Sequence, residues 1–202
     1  MTPHPDLPGR LGGPEVADAD QEWPVADSTT HYDSPYVALA VDTIVAPDGT
    51  EHGRAVVRPN GAVGVLALDA DDRVLLVQQY RHPVRSRLVE LPAGTLDVAG
   101  ESGLAAAQRE LAEEADVEAE EWTELLRLAA TPGYSTERWT VFRASGLRPV
   151  PEDQREERQA EEADMQQWWV PFETVVSSVL AGRVADAMTV AAVLAERARR
   201  SR

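Results

Sequence analysis

The sequence contains no cysteine and no lysine. Without cysteine there is no disulfide, no thiolate metal site and no thiol nucleophile. Without lysine there is no Schiff-base chemistry and no Walker-type phosphate loop, whose lysine reaches the phosphates. All 19 basic residues are arginine, set against 35 Asp and Glu, for a net charge of -16. That deficit of positive charge argues against a general nucleic-acid binder, which needs a basic footprint. A phosphate-bearing substrate is repelled at long range and has to be received by local arginines and bound metal. No run of apolar residues is long enough for a membrane-spanning helix. Residues 1–20 are rich in Pro, Gly and Asp and lack the basic and apolar regions of an export signal, so the expected compartment is the cytoplasm.

What is present is enough apolar residue, 43% of 202, for one sizeable core with a small appendage. The composition predicts a disordered tail over 1–21, an N-terminal antiparallel β unit over 22–58 and a larger α/β domain over 59–202. In the β unit a strand is expected over Tyr36–Val45, a turn at Pro47-Asp48-Gly49 and a returning strand at Arg54–Val57. The apolar run Ala62–Leu68 reads as a buried strand, with Val74–Tyr80 as its hairpin partner. Further strands are expected at Leu88–Leu91, Trp122–Ala129, Trp139–Ala144 and Gln166–Val170. Helices are expected over Gly103–Ala115, Phe172–Ala181 and Asp186–Arg200, with Gly182 as a boundary. The charged, Pro-bounded stretch 149–163 reads as a mobile loop.

The helix over Gly103–Ala115 has an unusual acidic face. Glu110, Glu113 and Glu114 stand at i, i+3 and i+4, so their carboxylates crowd one side. Such like-charge pairs cost a helix a few tenths of a kcal/mol each. A hard cation over them explains the pattern, because Mg2+ and Mn2+ prefer carboxylate oxygen. Arg109 can reach Glu113 at i, i+4. The apolar positions Leu104, Ala107 or Gln108, Leu111 and Ala115 form the expected core face.

Gly94, Glu101, Arg109, Glu110, Leu111, Glu113, Glu114 and Val117 together resemble the Nudix box, Gly-x5-Glu-x7-Arg-Glu-U-x-Glu-Glu-x-Gly-U with U a bulky apolar residue. The gap after Gly94 holds one residue more than the box. Asp116 replaces its last glycine; Asp is among the few residues that tolerate a left-handed helix end. The seven-residue gap from Glu101 to Arg109, which sets the register of the acidic face, is kept. The resemblance implies an α/β/α sandwich with a mixed sheet. It also implies Mg2+ or Mn2+ held by Glu110, Glu114 and the Ala93 carbonyl, with Glu113 assisting.

Val77–Pro83, Glu90–Gly94 and Thr131–Glu137 look like the ADP-ribose pyrophosphatase branch of that superfamily, with Pro132 placed 15 residues past Val117. What the branch implies is hydrolysis of ADP-ribose to AMP and ribose 5-phosphate. Arg81 would contact the pyrophosphate, for which a guanidinium is suited. Glu90 would touch substrate or merely end a strand. Gly133 and Tyr134 would belong to the substrate site. Glu161 or Glu162 would supply the catalytic base, with Glu113 as a third candidate. His82, followed by Pro83, reads as loop structure. A homodimer is expected, built by exchange of the N-terminal strands, with no nucleic acid or membrane partner. The alternatives are another nucleoside diphosphate derivative as substrate, or a sensor that binds ADP-ribose without turnover.

Overall fold

A computed structural model describes residues 2–3, 5–155 and 164–201. At the N-terminus β1 (Thr2–Pro3) and β2 (Arg10–Leu11) make a two-residue pairing, fully exposed where burial is described. The tail therefore carries one small element where none was expected. Next come β3 (Val25–Asp33), β4 (Val37–Val45) and β5 (Glu51–Pro59), a three-stranded antiparallel sheet in the order β3-β4-β5. The strand β3 is exposed along its whole length. Its polar sequence gives no apolar alternation to announce it.

Two further sheets and three helices form the main body. One sheet is mixed, in the order β10 (Val117–Ala129), β11 (Arg138–Pro149), β6 (Ala62–Ala67), β9 (Ala93–Thr95), with β11 and β6 parallel. The other is antiparallel, in the order β12 (Gln166–Pro171), β7 (Arg73–Arg81), β8 (Ser86–Glu90). The expected hairpin of β6 with β7 does not form. The two strands lie in different sheets, joined across the turn by a single bridge between Leu68 and Val74. Their apolar faces explain this, since each strand is buried on both sides and takes neighbours from elsewhere.

Strand alternation divides β6 between two cores. Val63, Val65 and Ala67 pack toward α1 (Gly103–Ala115), with Ala106, Ala107, Leu111 and Ala115. Leu66, and Leu68 just past the end of the strand, pack the other way, toward α2 (Phe172–Leu180) and α3 (Ala187–Arg200). This is the expected α/β/α sandwich. Gly64 makes it close: a Cβ there would come within 2.2 Å of the Met188 sulfur on α3. The helix bounds match the sequence reading at α1, and Gly182, at φ 69°, follows α2. Leu104 is a correction. It is 39% exposed, and Ala106 takes the buried place, because the face that packs closely on β6 admits only small side chains there. No helix among the described residues is long and apolar enough to cross a membrane.

Candidate active site

The site begins where the chain crosses between the two main sheets. The strand β8 ends at Glu90 in one sheet, and β9 begins at Ala93 in the other. Helix α1 lies against this crossing. Its start is capped by Ser102, whose hydroxyl oxygen accepts from the Ala105 amide. Its end is Asp116 in the left-handed conformation, φ 52°, whose amide reaches back to the Ala112 carbonyl. The substitution for the glycine of the box is thus accommodated as the sequence suggests.

Between these caps, two glutamates of α1 turn inward. Glu114 is buried and its Oε2 accepts a 2.9 Å hydrogen bond from the Ala93 amide. Glu110 is buried against Gly94, so closely that a Cβ on Gly94 would sit 1.9 Å from the Glu110 carboxyl carbon. This close approach, not a special φ, is why glycine occupies position 94. Both carboxylates therefore converge on the Ala93–Gly94 backbone. Glu113 stands apart and takes 2.9 Å from Arg109.

Arg109 is shared. Its guanidinium also donates to Glu101 at 3.2 Å and lies 2.8 Å from Glu110. Chiefly the Glu101 hydrogen bonds, with the charges of Glu110 and Glu113, push its pKa further up. One guanidinium does not suffice for Glu110. Burial pushes the Glu110 carboxyl above its ordinary range, and the nearby Glu113 and Asp97 charges add to this, outweighing Arg109. Among the described residues no three acidic or histidine side chains converge closely enough to hold a metal ion. The pair Glu110 and Glu114 still fits a hard divalent cation. The donors are all oxygen, they are buried, and Glu110 is short of positive charge. The Ala93 carbonyl lies in the same two-residue stretch.

The opposite wall comes from β7 and β8. Arg81 and Glu90 form a forked ion pair, with Nε at 3.0 Å and Nη2 at 2.7 Å from the carboxylate. This pairing raises the Arg81 pKa and accounts for the burial of Glu90, at 5% exposure. Arg81, Glu90, Ala93, Gly94, Trp139 and Asp186 line a cleft of about 430 Å³. Asp186 caps α3, accepting from the Thr189 amide and hydroxyl. His82 forms a short 3-10 turn with Pro83 and Val84 beside this wall, as a loop residue.

The structure thus brings together Arg81, Glu90, Ala93, Glu110 and Glu114. Gly133 and Tyr134 do not join them. Tyr134 is 57% exposed, and its carbonyl accepts from the Val57 amide at 2.8 Å, tying that loop to β5. Glu137, a few residues on, does line the cleft. Glu161 and Glu162 lie outside the described residues. The sequence reading missed Trp139 and Asp186 as cleft residues. Asp186-x-x-Thr189 has the spacing of a helix N-cap with its partner, a signal of helix start that says nothing of a cleft.

A helix that carries buried carboxylates against a Gly-containing strand, inside an α/β/α sandwich, defines a class. The chain belongs to the Nudix family, whose NUDIX domain pattern matches residues 58–191. Members of that family generally need divalent metal ions. The chain is 40% identical over 177 residues to the ADP-ribose pyrophosphatase of Mycobacterium tuberculosis (strain ATCC 25618 / H37Rv), covering 88% of this chain and 84% of that protein. It is 33% identical over 157 residues to the ADP-ribose pyrophosphatase of Bacillus subtilis (strain 168), covering 78% of this chain and 83% of that protein. Among solved structures it is similar to an ADP compounds hydrolase, with a TM-score of 0.73 and 22% identity over 90% of this chain and 95% of the other. At that identity the likeness is one of fold.

Proposed function

We propose that this protein hydrolyses ADP-ribose to AMP and ribose 5-phosphate, using Mg2+ or Mn2+. The observation that carries the reading is the convergence of buried Glu110 and Glu114 on the Ala93–Gly94 backbone, which with Arg81 lines the neighbouring cleft. The relatives named for ADP-ribose support the choice of substrate. Glu110, Glu114 and the Ala93 carbonyl would hold the ion, with Glu113 assisting. A divalent ion there supplies charge to neutralise a pyrophosphate and acidity to a water molecule. Arg81, oriented by Glu90, offers its remaining N–H groups to the phosphates. Glu161 or Glu162 takes the proton, and Glu113 is the third candidate. Gly133 and Tyr134 stay in the proposal only as residues reached across a dimer.

The same reading makes the protein a homodimer, with residues 22–58 as its dimerisation unit. The long exposed edge strand β3, with Val25 and Tyr32 open to solvent, supports it.

The deciding experiment is a panel of nucleoside diphosphate derivatives with Mg2+ and with Mn2+, read by phosphate release after alkaline phosphatase. ADP-ribose should lead by kcat/KM. A nucleotide sugar or dinucleotide ahead of it would reassign the substrate. Tight ADP-ribose binding without turnover would make the protein a sensor. Sedimentation tests the assembly: a fully active monomer excludes a shared site.

A further inference from the structure

The crossing from β8 to β9 leaves its backbone outside any strand ladder at Leu91 and Pro92, although both residues are buried. Buried backbone polar groups need partners, and this segment draws them from three different elements. The Pro92 carbonyl accepts from the Val65 amide of β6 at 2.9 Å. The Ala93 amide donates to Glu114 of α1 at 2.9 Å. The Leu91 amide donates to a side chain, the Thr189 hydroxyl oxygen of α3, also at 2.9 Å. Thr189 is completely buried. Its own hydroxyl proton goes to Asp186 Oδ2 at 2.7 Å, and its amide to the same oxygen at 2.8 Å. The direction of every bond is settled. Leu91 N–H can only donate, so the Thr189 oxygen accepts and its proton must leave toward Asp186.

We propose that Thr189, held by Asp186, is a positioning residue for the metal-facing Ala93–Gly94 segment. Thr189 fixes Leu91, two residues before Ala93, and so sets where the Ala93 carbonyl stands relative to Glu110 and Glu114. This role rests on the metal-dependent reading of the site given above. Valine has nearly the shape of threonine but neither accepts from Leu91 nor donates to Asp186. Serine does both. A purely structural contact would change stability alone. A positioning contact changes affinity for the ion in protein that is still folded.

The test is calorimetric titration of the metal-free, full-length protein with Mn2+, without substrate, alongside circular dichroism to establish folding. Thr189→Val should weaken Mn2+ binding on the order of tenfold, the size seen when a residue supporting a metal ligand is lost. Thr189→Ser should bind as the wild type does. Asp186→Ala, which frees the hydroxyl but leaves its oxygen available to Leu91, should fall between. Folded Thr189→Val with wild-type Mn2+ affinity overturns the proposal. If Thr189→Val does not fold, Asp186→Ala decides, and wild-type affinity there overturns it as well. Glu114→Gln is the control that separates the two levels. If it too binds Mn2+ normally, the metal face itself is misassigned, and the role of Thr189 falls with it.

Discussion

Two buried glutamates, on helices from opposite layers of the sandwich, make an instructive pair. Glu196 on α3 has no exposed surface. Arg199 and Arg200 donate to it at 2.8 to 3.0 Å, and Arg143 lies 3.5 Å away. Burial pushes its pKa up, but the arginines together win, and the net shift is downward. Arg200 also stacks over the Phe172 ring and forks onto Asp72, so the cluster fastens α3 to the turn before β7. Glu110 on α1 is buried too, yet it shares one arginine with Glu101 and Glu113, and its pKa moves up. A buried carboxylate whose counter-charges are in place is architecture. One left short of positive charge, as Glu110 is, would suit the cation proposed above.

That contrast can be broken in several ways. The largest effect is expected at the metal face. Glu114→Gln should lower kcat/KM on the order of a hundredfold or more, as loss of an electrostatic stabiliser does, with the fold intact by circular dichroism. Near-normal turnover at saturating metal would remove Glu114 from the site. Next is Glu196→Gln, which leaves Arg143, Arg199 and Arg200 facing a neutral group. The arginines left behind are partly exposed, so chemical denaturation should show a loss of about 1 to 3 kcal/mol, while activity per folded molecule is kept.

The two carboxylates also tilt the pH dependence of stability in opposite directions. The folded pKa of Glu196 is below its ordinary value of 4.5. Its contribution is therefore present above that value and lost as pH falls through the folded pKa. The folded pKa of Glu110 is above its ordinary 4.5. Its contribution is present below that value and lost as pH rises through the folded pKa. Metal-free Glu110→Gln should thus be no less stable than wild type at neutral pH, gaining a few tenths of a kcal/mol per relieved repulsion with Glu113 and Glu114. A clear loss of Tm would show that Glu110 is a compensated structural group like Glu196. The smallest effect is expected at Asp116→Gly, which removes the left-handed strain at the end of α1. A gain of up to about 1 kcal/mol in denaturation, with unchanged turnover, is the outcome.

The sequence made some of this legible and hid the rest for physical reasons. The bounds of α1 could be read because apolar period and acidic spacing both act locally. Asp116 was predictable for the same reason. The partition of β6 and β7 into separate sheets was not, because continuous apolar runs name burial without naming neighbours. Leu104 misled because hydrophobicity alone does not say which apolar side chain fits a close helix–strand contact. Arg81 and Glu90 were each identified as site residues, but their pairing depends on the register of β7 with β8, where Gln79 faces Leu88 and Arg81 faces Ser86. Thr189 was invisible, since nothing near it in sequence refers to Leu91.

The Leu91 amide and the Thr189 hydroxyl lie 98 positions apart along the chain. Synthesis runs from Leu91 to Thr189 in roughly 5 to 20 s at ordinary translation rates. Helix α1 is completed early in that interval, but the strand it faces still has no anchor at Leu91. A nascent chain therefore presents carboxylates without a finished cradle, and the site is closed by one of the last helices to emerge.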